Sequence, residues 1–232
     1  MLNKLIVSLL LWLALSFPAP FTPRAVPVGA VVPQVVFRFA GAEEDRWFSS
    51  EKIPADVLAR MKGKSLPSDS LKLADDLRYL RILYCDFEGR NVVGEIVCNK
   101  AVSADLLDIF RELYRQRYPL ESVRLVDDFD ADDEKSMTAN NTSCFNYRVV
   151  DGSRTLSKHA LGMAVDINPL YNPYVKGQKV QPEAGRPYVD RDAEFLYKIT
   201  SQDLCCRLFK KHGWRWGGDW RTCKDYQHFD RK

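Results

Sequence analysis

Two short groups of residues in the C-terminal third of the chain combine a histidine with carboxylates. The first contains His159 and Asp166, seven residues apart, and the second is Asp225-Tyr226-Gln227-His228-Phe229. Two neutral imidazoles and one carboxylate form a zinc site that keeps one coordination position open for water. A zinc ion lowers the pKa of such a water to about 7 and polarises a carbonyl group, which is hydrolytic chemistry. His159, Asp166 and His228 are therefore candidate metal ligands.

Hydrolysis of an amide also needs a group that takes a proton from the water and passes it to the leaving amine. Asp225 is the candidate for this role, because the other three residues would occupy the metal positions. Asp225 and His228 are three residues apart, so their side chains would point to opposite faces of one regular strand. The assignment therefore requires Asp225 to lie in the turn before the strand that carries His228.

The residues alone leave two other interpretations open. Two histidines and one carboxylate also hold iron in a class of oxygenases. Those enzymes typically place a histidine and the acid two residues apart on one strand, whereas His159 and Asp166 are seven apart. Histidines beside acids also occur as hydrogen-bonded structural residues.

The elements around these residues must bring them together, and their pattern predicts an α+β fold with a small, mostly antiparallel sheet and flanking helices. Residues 163–168 are expected to form a strand, with Asp166 on the face opposite Val165 and Ile167. A last strand is expected at 226–229. The other predicted elements are helices at 55–62, 103–118 and 194–212, a hairpin of strands 80–87 and 92–98 with its turn at Gly89-Arg90, a strand at 123–126 and a solvated acidic loop at 127–134.

Three motifs follow one another in the same order as in a known family. They are Ser-x-His-x-x-Gly-x-Ala-x-Asp at 157–166, Trp-Gly-Gly-Asp-Trp at 216–220 and Asp-x-x-His-Phe at 225–229. Together they resemble the VanY-like zinc D-alanyl-D-alanine carboxypeptidases and L-alanyl-D-glutamate endopeptidases, which are bacterial cell-wall peptidases. Residues 136–148 are also similar to the segment that precedes the histidine motif in that family, so the resemblance covers about 70–230.

The resemblance implies a zinc ion held by His159, Asp166 and His228, with Asp225 as the general base. It also implies the small α+β fold of the hedgehog type and peptidoglycan stem peptides as substrates. An aspartate at 225 is more similar to the endopeptidase branch, because the D,D-cleaving relatives usually carry glutamate there. A second hypothesis is a non-catalytic, zinc-containing module that binds the cell wall. The presence of Asp225 beside a complete ligand set favours the enzyme.

Two further residues are candidate substrate-binding residues. The guanidinium of Arg148 can bind a carboxylate through two parallel hydrogen bonds, although a surface arginine paired with a nearby acid is the alternative. Ser157 can hydrogen-bond the substrate or a metal ligand, or serve only as a turn residue. His212 precedes Gly213 and is expected to stabilise a helix end rather than bind metal. The tryptophans at 214, 216 and 220 could line a groove, but packing in the core is the expected role.

The first residues predict an exported protein. Lys4 precedes an apolar run at 5–17 that is short for a membrane span of about 20 residues and is typical of a signal peptide. We expect a signal peptide at 1–17, with cleavage as late as Ala30, or else an uncleaved N-terminal membrane anchor. The five prolines of 18–39 predict a leader or tether, and 40–232 is expected to be one zinc peptidase domain. The expected location is periplasmic or extracellular.

Composition limits the partners of the chain. Its 232 residues are 46% hydrophobic and 28% charged, which excludes collagen-like and wholly disordered proteins. The net charge of +3 would fall to +1 on removal of 1–30, so there is no electrostatic case for nucleic acid as a partner. No other protein partner is predicted. Six cysteines in an exported chain predict at least one disulfide.

Overall fold

The computed structural model describes residues 25–32, 46–150, 152 and 154–232. The strands of this part of the chain are β1 (Val31–Val32), β2 (Ser49–Glu51), β3 (Leu77–Cys85), β4 (Asn91–Asn99), β5 (Ser122–Val123), β6 (Asn141–Thr142), β7 (Ala164–Asp166), β8 (Tyr174–Lys176), β9 (Lys179–Gln181), β10 (Arg215–Trp216), β11 (Lys224–Asp225) and β12 (His228–Asp230). Its α-helices are α1 (Ala55–Met61), α2 (Ser103–Arg115), α3 (Asp133–Thr138) and α4 (Leu204–Lys211). Short 3-10 helices occupy Leu71–Asp76, Val126–Phe129, His159–Leu161, Glu183–Tyr188 and Gly217–Asp219.

The strands form four small sheets, three of which are antiparallel. Their strand orders are β1-β4-β3-β2, β10-β12-β7 and β11-β8-β9, and the fourth sheet is the parallel pair β5-β6. Helices and strands alternate without regular βαβ units, which confirms the predicted α+β fold.

One hydrophobic core joins the largest sheet to the sheet that carries the candidate ligands. Helix α2 packs on β3 and buries residues spaced three and four apart, as an amphipathic helix does. The β7 and β12 side chains Val165 and Phe229 belong to the same core and are fully buried. The strands of the candidate site are therefore anchored from behind by apolar packing.

The hairpin β3–β4 forms as predicted but in a different register. A turn centred on Gly89-Arg90 would pair Cys85 with Gly94. In the structure Cys85 pairs with Asn91, so the centre of the turn lies before Gly89. The reason is the Asp86 carboxylate, which accepts two backbone N–H groups of the turn and closes a longer loop. Side-chain bonding of this kind overrides the preference for a glycine-centred two-residue turn.

The predicted C-terminal helix is much shorter than its pattern indicated. Helix α4 begins only at Leu204, because the Asp203 side chain caps it by accepting the N–H of Cys205 at 2.8 Å. Upstream, the guanidinium of Arg191 donates to the carbonyl oxygens of Tyr171 and Ile199, both at 2.9 Å. These tertiary bonds hold the preceding segment in an irregular path.

The acidic stretch 127–134 is not the solvated loop that was expected. Its first residue, Asp127, is buried and accepts hydrogen bonds from the N–H and hydroxyl of Ser65 at 3.0 and 2.9 Å. Its last residues begin helix α3, where the Asp132 side chain accepts the N–H of Lys135. The predicted strand at 123–126 shortens to β5 and runs into the 3-10 helix Val126–Phe129.

The N-terminal predictions fall mostly outside the described residues, which exclude 1–24 and 33–45. The signal peptide at 1–17 is therefore not described. Part of the predicted leader at 18–39 is described. Val31–Val32 form the edge strand β1 beside β4, so this part of the leader packs against the sheet. Among the described residues, no helix is both long and apolar enough to cross a bilayer.

The six cysteines are free in the structure, so the predicted disulfide is not confirmed. Five of them are buried and Cys223 is half-buried. Burial raises the pKa of Cys98 and Cys144, so these thiols behave as small apolar side chains of the core.

Candidate active site

Strands β7 and β12 place Asp166 and His228 directly opposite each other. The antiparallel register pairs these two residues and, one position further on, Val165 with Phe229. Because side chains alternate along a strand, the polar pair points to one face and the apolar pair points into the core. The sequence-predicted alternation around Asp166 is therefore confirmed by the register.

His159 approaches this pair from the 3-10 helix His159–Leu161. The helix ends at Gly162, whose φ of 64° lies in the left-handed region. A Cβ atom at this position would lie 2.5 Å from the backbone nitrogen of Asn99, so only glycine fits. The turn at Gly162 is what brings His159 back beside Asp166.

The three candidate ligands converge to within hydrogen-bond distance. His228 Nδ1 lies 3.0 Å from Asp166 Oδ1, and His159 Nε2 lies 3.2 Å from both Asp166 Oδ2 and His228 Nδ1. A tetrahedral zinc ion with ligand distances of about 2.0–2.1 Å separates its ligand atoms by about 3.3 Å. The donor atoms therefore have the identity that zinc binding requires, and they lie close enough together, within 4.8 Å, to share one metal ion.

The protonation state of His159 also suits a ligand. Its Nδ1 lies 2.6 Å from the carbonyl oxygen of Cys144. A carbonyl can only accept, so Nδ1 donates this hydrogen bond and Nε2 is the ring atom that faces Asp166 and His228. Metal-binding histidines commonly have such a second hydrogen bond, which fixes the tautomer and the ring orientation.

The charges of the cluster favour a cation at its centre. Burial opposes the ionisation of Asp166, but the charges and hydrogen bonds of His159 and His228 outweigh it and hold the pKa of Asp166 below its usual value. Burial lowers the pKa of His228. The hydrogen bond to Asp166 and the charge of that carboxylate raise it by more, so the pKa of His228 lies above its usual value. The ionised form of Asp166 is thus favoured beside the two imidazoles.

Asp225 does not share a strand with His228. It lies in the short strand β11, which pairs with β8, and two residues separate it from β12. The alternation that would have turned Asp225 away from the ligands therefore does not apply. Gly217 packs against it so closely that a Cβ atom there would lie 2.5 Å from the Asp225 carbonyl oxygen.

The environment of Asp225 suits a proton acceptor. Burial raises the pKa of Asp225 to about 7, although the neighbouring His228 opposes this shift. Its Oδ1 is buried and has no hydrogen-bond partner among the described residues. A carboxyl group with a pKa near neutrality can both take up and release a proton at physiological pH.

All six residues singled out from the sequence line one cavity of about 690 Å³. They are Arg148, Ser157, His159, Asp166, Asp225 and His228. The cavity is large enough for a peptide of a few residues.

Comparison with known families supplies the class of protein. Residues 151–231 match the D-alanyl-D-alanine carboxypeptidase family. This part of the chain is similar to that family. The match confirms the resemblance expected from the motifs, and it contains the three candidate ligands and Asp225. No curated protein matches the chain, and no solved structure does.

Arg148 lies just before the residues that match the family and forms an ion pair with Asp133 at the cavity wall. Its side chain therefore has the acidic partner that the alternative interpretation expected, and it also faces the cavity. Ser157 accepts the backbone N–H of His159 at 3.2 Å. It thus forms a turn hydrogen bond beside a candidate ligand.

The remaining predictions about histidine and tryptophan hold in part. His212 ends helix α4, with its Nδ1 3.6 Å from Asp105, and it is not among the residues that line the cavity. Trp214 and Trp216 are buried in the core as predicted. Trp220 is not: it lines the cavity, and its ring centroid lies 5.3 Å from that of His228.

Sequence reasoning missed the cationic side chains of the cavity. Lys176 and Lys179 come from the hairpin β8–β9, and Lys158 precedes the ligand His159. The sequence offered one signal for two of these lysines, the Lys-Gly-Gln-Lys turn at 176–179, which lies within the residues that match the family. Nothing in that turn alone indicated that it would face the ligands.

Proposed function

We propose that the protein is a zinc-dependent peptidase that hydrolyses peptidoglycan stem peptides. The observation that carries the proposal is the convergence of His159, Asp166 and His228 beside the buried Asp225 in one cavity. The family match supports the peptidase class, and the nitrogen and oxygen donor set supports zinc.

His159 Nε2, His228 Nδ1 and the carboxylate of Asp166 would hold the ion. Zinc bound there supplies a Lewis acid that polarises the scissile carbonyl and makes water a stronger acid. The protein fixes the ligands in advance: Cys144 holds the His159 ring through its carbonyl oxygen, and the β7–β12 register holds the other two. Little reorganisation is needed when the metal binds.

Asp225 moves the proton. Its unpaired Oδ1 accepts the proton of the attacking water, and the resulting carboxylic acid gives it to the nitrogen of the leaving amine. In the metal-free protein burial raises the pKa of Asp225 above that of an ordinary carboxyl group, which suits a group that must be a base first and an acid later. The burial that raises this pKa also keeps bulk water from competing for the proton.

The cavity holds cationic side chains that can bind the carboxylates of an acidic peptide, and four aspartates line it as well. The guanidinium of Arg148 can share its hydrogen bonds between Asp133 and a substrate carboxylate. Three lysines line the same cavity, namely Lys158, Lys176 and Lys179. Stem peptides carry several carboxylates, and the bond hydrolysed is either D-Ala–D-Ala or L-Ala–D-Glu. Such a substrate fits the export to the periplasm or beyond that the signal at 1–17 predicts.

The experiment is digestion of purified muropeptides by metal-free protein and by the same protein after addition of one equivalent of zinc. Mass spectrometry should show a shortened stem peptide only with zinc, and the masses of the products identify the bond. Intact muropeptides after incubation with the zinc-loaded protein would contradict the proposal. If that protein instead sediments with peptidoglycan, it is a non-catalytic cell-wall module.

A further inference from the structure

Gln227 lies between Asp225 and His228 and has no role in the mechanism above. Its side chain lines the same cavity and the residue is only 2% exposed. The main chain is held in place, because its carbonyl oxygen accepts the N–H of Ile167 at 3.0 Å. The side-chain Oε1 is buried and has no hydrogen-bond partner among the described residues.

The neighbouring carboxylate orients the Gln227 amide. Gln227 donates a side-chain hydrogen bond to Asp225, which lowers the pKa of that acid. An ionised carboxylate can only accept, so the NH₂ end of the amide faces Asp225. The Oε1 end is therefore directed away from Asp225.

Two buried acceptors that line this cavity, Asp225 Oδ1 and Gln227 Oε1, have no hydrogen-bond partner within the part of the chain that the structure describes. Buried carbonyl groups in proteins are nearly always hydrogen-bonded, so each exception needs an explanation. A role in proton transfer explains why Asp225 Oδ1 has no hydrogen-bond partner. It leaves Gln227 Oε1 as an acceptor that needs a donor, and a peptide brings one backbone N–H per residue.

We propose that Gln227 Oε1 accepts a backbone N–H of the bound peptide, which makes Gln227 a specificity-determining residue. The inference rests on the proposed function. A substrate that lacks this N–H leaves the carbonyl buried and unpaired, and sites built to bond a polar group discriminate strongly against analogues that lack it. The peptide is therefore recognised by its backbone as well as by its carboxylates.

Ester substitution tests the inference. A set of stem peptides is made in which each non-scissile amide in turn becomes an ester, so that oxygen replaces N–H without added bulk. Wild type should lose about tenfold in kcat/KM with one ester of the set, the value of one hydrogen bond in a buried site. Gln227→Met should lose about tenfold with the all-amide peptide and show no further loss with that ester.

Two other variants serve as controls for this test. Gln227→Glu retains an acceptor at the same place, so it should keep the discrimination against the ester even if Gln227→Met folds poorly. Gln181→Met removes an amide from another wall of the same cavity and should discriminate as wild type does. Equal sensitivity of wild type and Gln227→Met to every ester would overturn the inference and leave the proposed function intact. A wild type that cleaves no stem peptide would instead refute the proposed function, and this inference with it.

Discussion

The turn at Gly162 offers a quantitative test of how the fold positions the ligands. Gly162→Ala places a Cβ atom 2.5 Å from the Asn99 nitrogen and 2.9 Å from the Cys98 carbonyl carbon, and both atoms belong to backbone that cannot rotate away. The left-handed conformation adds roughly 1–2 kcal/mol for a residue with a side chain. The steric overlap adds roughly 1–3 kcal/mol. We therefore expect the free energy of unfolding to fall by about 2–5 kcal/mol.

Gly177→Ala is the matched control. Gly177 also has a positive φ, 58°, but no atom lies within 4 Å of its Cβ position. It should lose only the conformational part, roughly 1–2 kcal/mol. Urea unfolding of the metal-free protein measures both losses. Equal losses in the two variants would refute the steric reasoning at Gly162.

The same substitution should also weaken metal binding. A shift of the backbone at Gly162 moves His159, whose Nε2 is one of the three converging donor atoms. Gly177 lies on the β8–β9 turn and contributes no ligand. Zinc titration should therefore show weaker binding in Gly162→Ala and wild-type affinity in Gly177→Ala. If Gly162→Ala binds zinc as tightly as wild type, the turn does not control the position of His159.

Three further predictions concern the ligands and the substrate. Because the pKa of His228 is raised, zinc binding should release a proton near neutral pH, and zinc affinity should fall by about tenfold per pH unit on acidification; calorimetry in buffers of different ionisation enthalpy measures both. His159→Ala and His228→Ala should each lower the zinc content from near one equivalent, and unchanged zinc in both would refute the ligand set. Arg148→Lys keeps the charge but loses the two-pronged geometry, so kcat/KM for stem peptides should fall by about tenfold; activity equal to wild type would remove Arg148 from the site.

The ligand set could be predicted from the sequence because its signals are local. The motif around His159 and Asp166 combines a glycine turn with a short alternating strand, and these features survive in the structure. The cross-strand pairing of Asp166 with His228 was not predictable from spacing, because the two residues are 62 positions apart in the sequence. The order of the motifs pointed to it only through the resemblance to a family.

Other features depend on contacts that no local pattern contains. The helix expected from 194 begins at Leu204, because buried hydrogen bonds of Arg191 outweigh the helical propensity of the preceding segment. The hairpin register depends on the Asp86 side chain rather than on the glycine in the turn. Trp220 lines the cavity although its aromatic ring predicted a core position. In each case tertiary contacts or side-chain bonding prevail over propensity.

The most direct test of the central claim compares wild type with Asp225→Asn at equal zinc content on a muropeptide of known structure. The amide keeps the shape of the carboxyl group but cannot take the proton of water, and a positioned acid–base group contributes about 10²–10⁴-fold to the rate. Wild type should shorten the stem peptide, as followed by mass spectrometry, and Asp225→Asn should be slower by about that factor with little change in affinity. Equal rates for the two zinc-loaded proteins would contradict the role of Asp225, and intact peptide with both would contradict the peptidase itself.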